Sequence, residues 1–302
     1  MTPGVSAVIV SFRSRDTLPG CLDSLRVCRE RVPLEVIVVD NASGDGTPDL
    51  LRERYPEVVV IANPDNRGFA RAVNQGLGRA SGRCLLVLNP DCIVTPEALD
   101  CLLAALEARP LVAAVAPMLL DKEQRAARSC GRFPTLWTLF CDHLGLAQKF
   151  PRSPLFGCYK YGGRALAVLN RVDWASGAAL LVPRPAYERV GGLDENIFMY
   201  MEEVDWCRRA AQAGFSVRYV PAAKVLHHGQ RSSKEVPGES YLHNLRSRVY
   251  YFRKHHGALA AGVAKGILLV SLALKWCASV SARAQRASAE IYAAGMEAVW
   301  AA

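Results

Sequence analysis

Apolar runs rich in branched residues recur along the first third of the chain: SAVIV at 6–10, EVIVVD at 35–40, EVVVIA at 57–62 and CLLVLN at 84–89. They are continuous rather than alternating, so each is read as a strand covered on both faces, as in a parallel sheet between helices. Between and after them, the stretches 17–30, 47–55, 68–81 and 96–108 suit helices. Thr95 offers a side-chain cap to the last of these, and Pro96 is tolerated in its first turn. Repeated strand–helix units of this kind predict an open α/β sheet over the first 110 residues.

After residue 110 the rhythm breaks. AAVAPMLL (113–120) suits one more strand, whereas 121–171 is rich in Arg, Pro, Gly and aromatic residues without a sustained period. That segment is read as a long, partly irregular insertion that lines a cleft. Order returns with strand-like WASGAALLV (174–182), helix-like VDWCRRAAQAGF (204–215) and strand-like SVRYV (216–220). There is no internal repeat.

From 241 the chain is helical and cationic, YLHNLRSRVYYFRKHHG, and then apolar, ALAAGVAKGILLVSLALKWCASV. Lys265 and Lys275 leave nine uncharged residues between them, fewer than the roughly 18 to 20 of a membrane-spanning helix. A basic segment beside such a helix predicts one lying on an anionic membrane surface. Packing against the main domain or a dimer partner is the competing reading.

With 302 residues, 51% of them hydrophobic, the chain can bury a substantial core and sits near the length at which one core divides. Its formal charge of +9 fits nucleic acid, an anionic membrane or a phosphorylated ligand equally well. The ten cysteines form no C-x-x-C pair, which argues against zinc and for a reducing compartment. MTPGVSAVIV lacks the basic start and cleavage site of a secretory signal. A cytosolic protein is expected.

Candidate chemistry gathers at strand ends. Ser11 follows the first strand, Asp40 and Asn41 the second, Asn89 and Asp91 the fourth, while Asn66-Arg67-Gly68 opens a helix. Open α/β sheets bind ligands beyond the carboxyl ends of their strands, where helix N-termini point free N–H groups into the crevice. Taken singly, DNASGDGT and Asn89-Pro90-Asp91 also read as turns. Their conjunction on one edge favours a ligand site.

VVDNASGDGT, NPDNRGFARAVNQGL, LLVLNPDCIV, WASGAALLVPRPAYERVGGLDENIFMYMEEVDWCRRAAQAGF and VLHHGQRSS, in this order, resemble the inverting glycosyltransferase family 2, especially its rhamnosyltransferase-like members, over roughly residues 5–232. The resemblance implies a GT-A fold: one mostly parallel open α/β sheet with helices on both faces, followed by a C-terminal helical segment. It implies a nucleotide-sugar-binding half at 1–112 and an acceptor-binding and catalytic half at 113–235. Residues 236–302 form the basic, apolar remainder.

The resemblance also assigns roles. Asp91 ends a D-x-D-like element and would bind the metal, Mg2+ or Mn2+, with Asn89 facing the nucleotide. His227, in an H-x-x-x-x-S segment reaching Ser232, would be a second ligand, with His228 beside it. Imidazole favours Mn2+ more than an all-oxygen site does. Asp40 would bond the pyrimidine, Asn66 and Arg67 would line the nucleotide pocket, and Ser11 would contribute donor contacts. Ser11-Phe12-Arg13 departs from the family's usual Thr-Tyr-Asn.

Glu203 occupies the place of the usual aspartate base, one methylene longer, with Glu202 as the alternative. Gly177 and Ala178 would bring the backbone close to the sugar, and Trp174 either stacks on it or belongs to the core. Asp205 and Arg208 either anchor the helix or touch the acceptor.

The activity implied is a metal-dependent inverting transfer of a sugar from a dTDP- or UDP-sugar, with L-rhamnose from dTDP-rhamnose foremost, to a lipid-linked or polysaccharide acceptor. The expected place is the inner face of the cell membrane, with peripheral contact; a homodimer stays open. A nucleotidyltransferase is the rival enzyme, but SFRSRDTLPG is a poor version of the loop it needs. A catalytically degenerate GT-A binding module is the non-enzymatic alternative, motivated by Asn89 and Glu203 in place of aspartates. Nucleic-acid binding is not expected, because the basic stretch contains no recognised reading module.

Overall fold

Each of the four apolar runs becomes a strand in the computed structural model, which describes residues 4–107, 111–150, 153, 155–157, 159–162, 166–168, 170–229, 237–281 and 286–302. They are β1 (Val5–Ser11), β2 (Leu34–Asp40), β3 (Val59–Ala62) and β4 (Cys84–Leu88). The helices α1 (Leu18–Arg29), α2 (Thr47–Arg54), α3 (Phe69–Arg79) and α4 (Pro96–Glu107) separate and follow them. The Thr95 hydroxyl accepts the Ala98 N–H at 3.2 Å, capping α4 as its sequence predicts.

Further along are the short β5 (Cys92–Ile93), then β6 (Val112–Leu120), β7 (Cys130–Gly131), α5 (Leu136–His143) and α6 (Leu146–Lys149). The chain continues through β8 (Arg171–Val172), β9 (Trp174–Ala175), β10 (Ala179–Pro183), α7 (Arg184–Val190), α8 (Glu202–Gln212) and β11 (Ser216–His227). The insertion at 121–171 is thus more ordered than its composition predicts, since the Thr135–Thr138 capping box starts a helix inside it.

The sheet order is β3-β2-β1-β4-β10-β6-β11-β5, with β8 on the side of β11. Strands β1 to β4, β6 and β11 run one way, and β10, β5 and β8 run against them. A two-stranded ladder of β7 and β9 stands apart. WASGAALLV therefore divides into two strands that join different sheets, because the chain turns at Gly177–Ala178. SVRYV continues to His227 through a register shift between Val220 and Lys224.

Alternation along the strands clothes both faces. Val5, Ala7, Ile9, Leu86 and Leu88 join Leu18, Leu22 and Leu25 of α1 and Leu99 and Leu102 of α4 in one core. Each of these valine, leucine and isoleucine side chains contributes about 1.5 to 3 kcal/mol when buried. On the opposite face α3 lies so close to the sheet that a Cβ at Gly76 would overlap the Val8 side chain. Helices flank the sheet on both sides, as a buried, mostly parallel sheet requires.

Two compact units are distinct: Met1–Arg132 with Lys160–Asn196 and Glu202–Ser232, and Phe133–Tyr159 with Ile197–Met201 and Ser233–Ala302. The first holds the sheet. The second is helical, with a long helix (Pro237–Ser281) interrupted by Gly257 at φ 85°, and a last helix (Arg286–Ala301). The sequence expectation that the apolar stretch is too short to span treated Lys265 and Lys275 as its ends. By length and composition alone, Gly238–Val280, with its interruption at Gly257, is long and apolar enough to cross a membrane.

Candidate active site

Strand register gathers the polar ends on one edge. Ser11 pairs with Asp40, Ile9 with Leu88, and Leu88 with Ala179. The carboxyl ends of β1, β2 and β4 therefore lie beside the start of β10. The end of β11 is drawn in by the β5 ladder, where His227 pairs with Cys92 and the His228 N–H donates to the Asp91 carbonyl at 3.1 Å.

That pairing decides between the two histidines. The ring of His227 points at Asp91, with Nε2 3.2 Å from Oδ1, and Asn89 Nδ2 lies 3.3 Å from the same nitrogen. Burial pushes the Asp91 carboxyl up, but hydrogen bonding and charge from His227, with backbone N–H groups of Asp91 and Gly229, outweigh it and hold the group below its ordinary value. Asp91 is therefore ionised in a nearly buried setting.

Among the described residues, Asp91, Cys92 and His227 place one ligand atom each within 4.8 Å of one another. Cys92 is the soft donor that a hard cation uses least, and burial, then the nearby Cys21 and Asp91, raise its thiol well above the ordinary value. Its S–H donates to the Ala178 carbonyl at 3.2 Å instead. An oxygen and a nitrogen donor remain. Such a pair fits Mg2+ or Mn2+, which bind few protein ligands and complete their shells with phosphate oxygens and water. Ser232 lies outside the described residues.

The edge beyond the carboxyl end of β2 is built on amides. Asn41 Nδ2 donates to Asn66 Oδ1 at 2.7 Å, and Asn41 Oδ1 accepts from Asn63 Nδ2 and from the Arg67 backbone N–H, both at 3.1 Å. Asn63 and Gln75 exchange bonds at 2.8 and 3.0 Å. Asn66 also accepts the Gly68 N–H at 3.0 Å, so its carbonyl holds the entry to α3. The Arg67 guanidinium sits 3.4 Å from Asp65.

Asp40 Oδ2 accepts the Ser43 N–H at 3.2 Å, while its Oδ1 and the Ser11 hydroxyl are buried and make no hydrogen bond among the described residues. Buried polar atoms without partners are costly, so these two are groups a ligand can satisfy. The network through Asn41, Asn63 and Gln75 was not legible in sequence, because asparagines in loops read as turn formers and Gln75 reads as an ordinary polar position of α3.

The acid-rich helix enters through the backbone of Gly177 and Ala178. Ala178 O accepts the Asn89 N–H at 2.9 Å, and a Cβ at Gly177 would lie 3.8 Å from Glu203 Cβ and 3.7 Å from Phe69. Two consecutive residues thus touch the Asn89 segment on one side and the carboxylate helix on the other. Burial raises the Glu202 carboxyl well above its ordinary value, and the Glu203 charge adds to this. Burial also raises Glu203, opposed by backbone N–H groups of Glu203 and Val204 and by the Lys160 charge. Each has an Oε2 without a hydrogen bond among the described residues.

Asp205 and Trp174, both expected near an acceptor, are held by bonds within the protein. Asp205 has no exposed surface, and its Oδ2 accepts from Arg209 Nε at 2.9 Å. Arg209 in turn donates to the Val190 and Gly192 carbonyls at 2.8 and 2.6 Å. These bonds tie α8 to the loop after α7. Trp174 is buried, and its indole N–H donates to the Arg132 carbonyl at 2.8 Å. Its ring face meets Lys160 Nζ at 5.8 Å. Lys160 lay in the irregular insertion, where no pattern marked it.

Residues 6–165 match the family model described as Glycosyl transferase family 2. The N-acetylglucosaminyl-diphospho-decaprenol L-rhamnosyltransferase of Mycobacterium tuberculosis is 33% identical over 286 residues, covering 91% of this chain and 92% of that protein. Rhamnosyltransferase WbbL of Escherichia coli is 25% identical over 258 residues, covering 83% and 93%. Among solved structures, the mannosyltransferase PcManGT from Pyrobaculum calidifontis in complex with GDP-Man and Mn2+ superposes with a TM-score of 0.53 at 18% identity, covering 100% of this chain and 87% of that one. GalNAc-T7 with UDP, GalNAc and Mn2+ gives 0.54 at 15% identity, covering 83% and 50%. The structures share the fold; the sequence matches carry the family. The chain belongs to glycosyltransferase family 2 and is a glycosyltransferase on the GT-A fold.

Proposed function

We propose that this enzyme transfers L-rhamnose from dTDP-L-rhamnose, with inversion and with the help of a divalent cation, to an N-acetylglucosaminyl-diphosphate carried on a polyprenol. The donor and acceptor rest on the similarity to the mycobacterial rhamnosyltransferase. The observation that carries the chemistry is the Asp91–His227 pair at 3.2 Å, joined through Gly177 and Ala178 to Glu203.

Asp40 and Ser11 supply the buried acceptor and hydroxyl that hold the nucleoside. A cation held by Asp91 and His227 would neutralise the departing diphosphate. Glu203 takes the proton of the acceptor hydroxyl as that oxygen bonds to the anomeric carbon and the bond to the diphosphate oxygen breaks. Glu202, the more deeply buried of the pair, keeps its proton, which leaves Glu203 to be the base. Burial makes that carboxylate a stronger base than a solvated one. A lipid-linked acceptor puts the reaction at the cytoplasmic face of the cell membrane.

The test is transfer from dTDP-L-rhamnose to a synthetic prenyl-diphosphate N-acetylglucosamine, with Mn2+, Mg2+ or chelator, and with UDP-sugars as competitors. Metal-dependent product supports the reading. Absence of both transfer and metal-dependent donor binding with all these donors would overturn it.

A further inference from the structure

The long helix of the second unit has two unlike faces. Ala261, Ala264, Leu268 and Leu272 are buried, while Leu259, Val263, Val270, Leu274 and Val280 are 88%, 49%, 56%, 59% and 54% exposed. The exposed set recurs near the helical period, so it forms one row opposite the buried set. Gly262, Gly266 and Cys277 are exposed along the same row. Neither lysine interrupts it, since helical spacing turns Lys275 towards the buried set and Lys265 well away from the row. Lys265 donates there to the Trp300 carbonyl at 3.2 Å, and Lys275 is half-buried in the field of Asp142 and Arg248. At 1.5 Å per residue the row is about 33 Å long.

Such a row is longer than the scattered apolar residues of an ordinary soluble surface. Charge then narrows its partner. Arg246, Arg253, Lys254 and His256 are exposed just before it, and the chain contains no acidic residue between Glu239 and Glu290. A second copy pairing through this row would set cations against cations with no carboxylate from the same segment to meet them. A spanning arrangement would carry the last helix, with its exposed Glu290 and Glu297, into hydrocarbon at a high price. An anionic lipid surface meets both features: apolar side chains enter the acyl boundary while the flanking cations stay at the phosphates.

We propose that the Leu259–Val280 row is a membrane-docking face that lies in the plane of an anionic bilayer, with Arg253 and Lys254 at its rim. It does not depend on the donor or acceptor assigned above, and its test involves no turnover.

The full chain is floated with phosphatidylglycerol–phosphatidylcholine vesicles, with phosphatidylcholine vesicles, and alone, its mass in solution being measured in parallel. The expected result is flotation with the anionic vesicles, reduced about tenfold by Val263→Glu with Val270→Glu and strongly weakened by Arg253→Glu with Lys254→Glu. Circular dichroism and the thermal midpoint of these variants should match the parent, because all four side chains are exposed. Val263→Ser with Val270→Ser gives a milder loss in the same direction if the glutamates perturb folding. Flotation equal in parent and variants, no flotation of the parent with anionic vesicles, or a dimer that the apolar-row variants split would each overturn the proposal.

Discussion

At the scale of single residues, the proposed mechanism gives two adjacent glutamates different roles because their surroundings differ. Glu203→Gln should keep nucleotide binding while lowering kcat by about 10²- to 10⁴-fold, the usual weight of a general base. Isothermal titration with dTDP beside turnover separates the two effects, and equal losses in both would remove Glu203 from the role. Because Glu203 is raised, the acidic limb of kcat should lie above the ordinary glutamate range, with activity falling as pH drops through it. Glu202 makes a stability prediction. Its folded carboxyl holds a proton more tightly than the unfolded one, so its contribution is complete below the unfolded value and is lost as pH rises through the folded value. Glu202→Gln, which cannot ionise, should match the parent at acidic pH and exceed it increasingly as pH rises. A constant difference in thermal midpoint across pH would contradict this.

At the scale of elements, the site depends on α8 being held against the loop after α7. Asp205, Arg209 and the carbonyls of Val190 and Gly192 make that tie. Asp205→Ala should cost about 3 kcal/mol, the loss expected when a buried pair is left with one charged member. It should leave the acceptor KM of the surviving folded enzyme unchanged. Urea unfolding and acceptor titration check the two halves, and an acceptor defect without destabilisation would return Asp205 to a binding role. Several elements were legible beforehand for physical reasons. Continuous branched runs such as EVIVVD have few alternatives to a doubly covered strand, and Thr95-Pro96 marks a helix start. WASGAALLV was not legible as two strands, because a small-residue run shows no break until Gly177 lies against Phe69 and Glu203.

At the scale of the whole molecule, donor binding and folding should be linked. Saturating Mn2+ with dTDP should stabilise the protein, by about 2.7 kcal/mol at a hundred times the dissociation constant. Asp91→Ala should abolish the metal-dependent part of the thermal shift, and a full shift in that variant would move the cation elsewhere. The sequence by itself determined the α/β class, the strand ends that carry polar groups and the family, since hydrophobic period and ordered motifs are local properties of a chain. Only the tertiary structure decided that His227 rather than His228 faces Asp91, that Cys92 donates to Ala178, that Asp205 turns inward and that Lys160 stands over Trp174. Each of these is a contact between segments far apart in sequence, and its outcome depends on strand register and burial, which no single segment encodes.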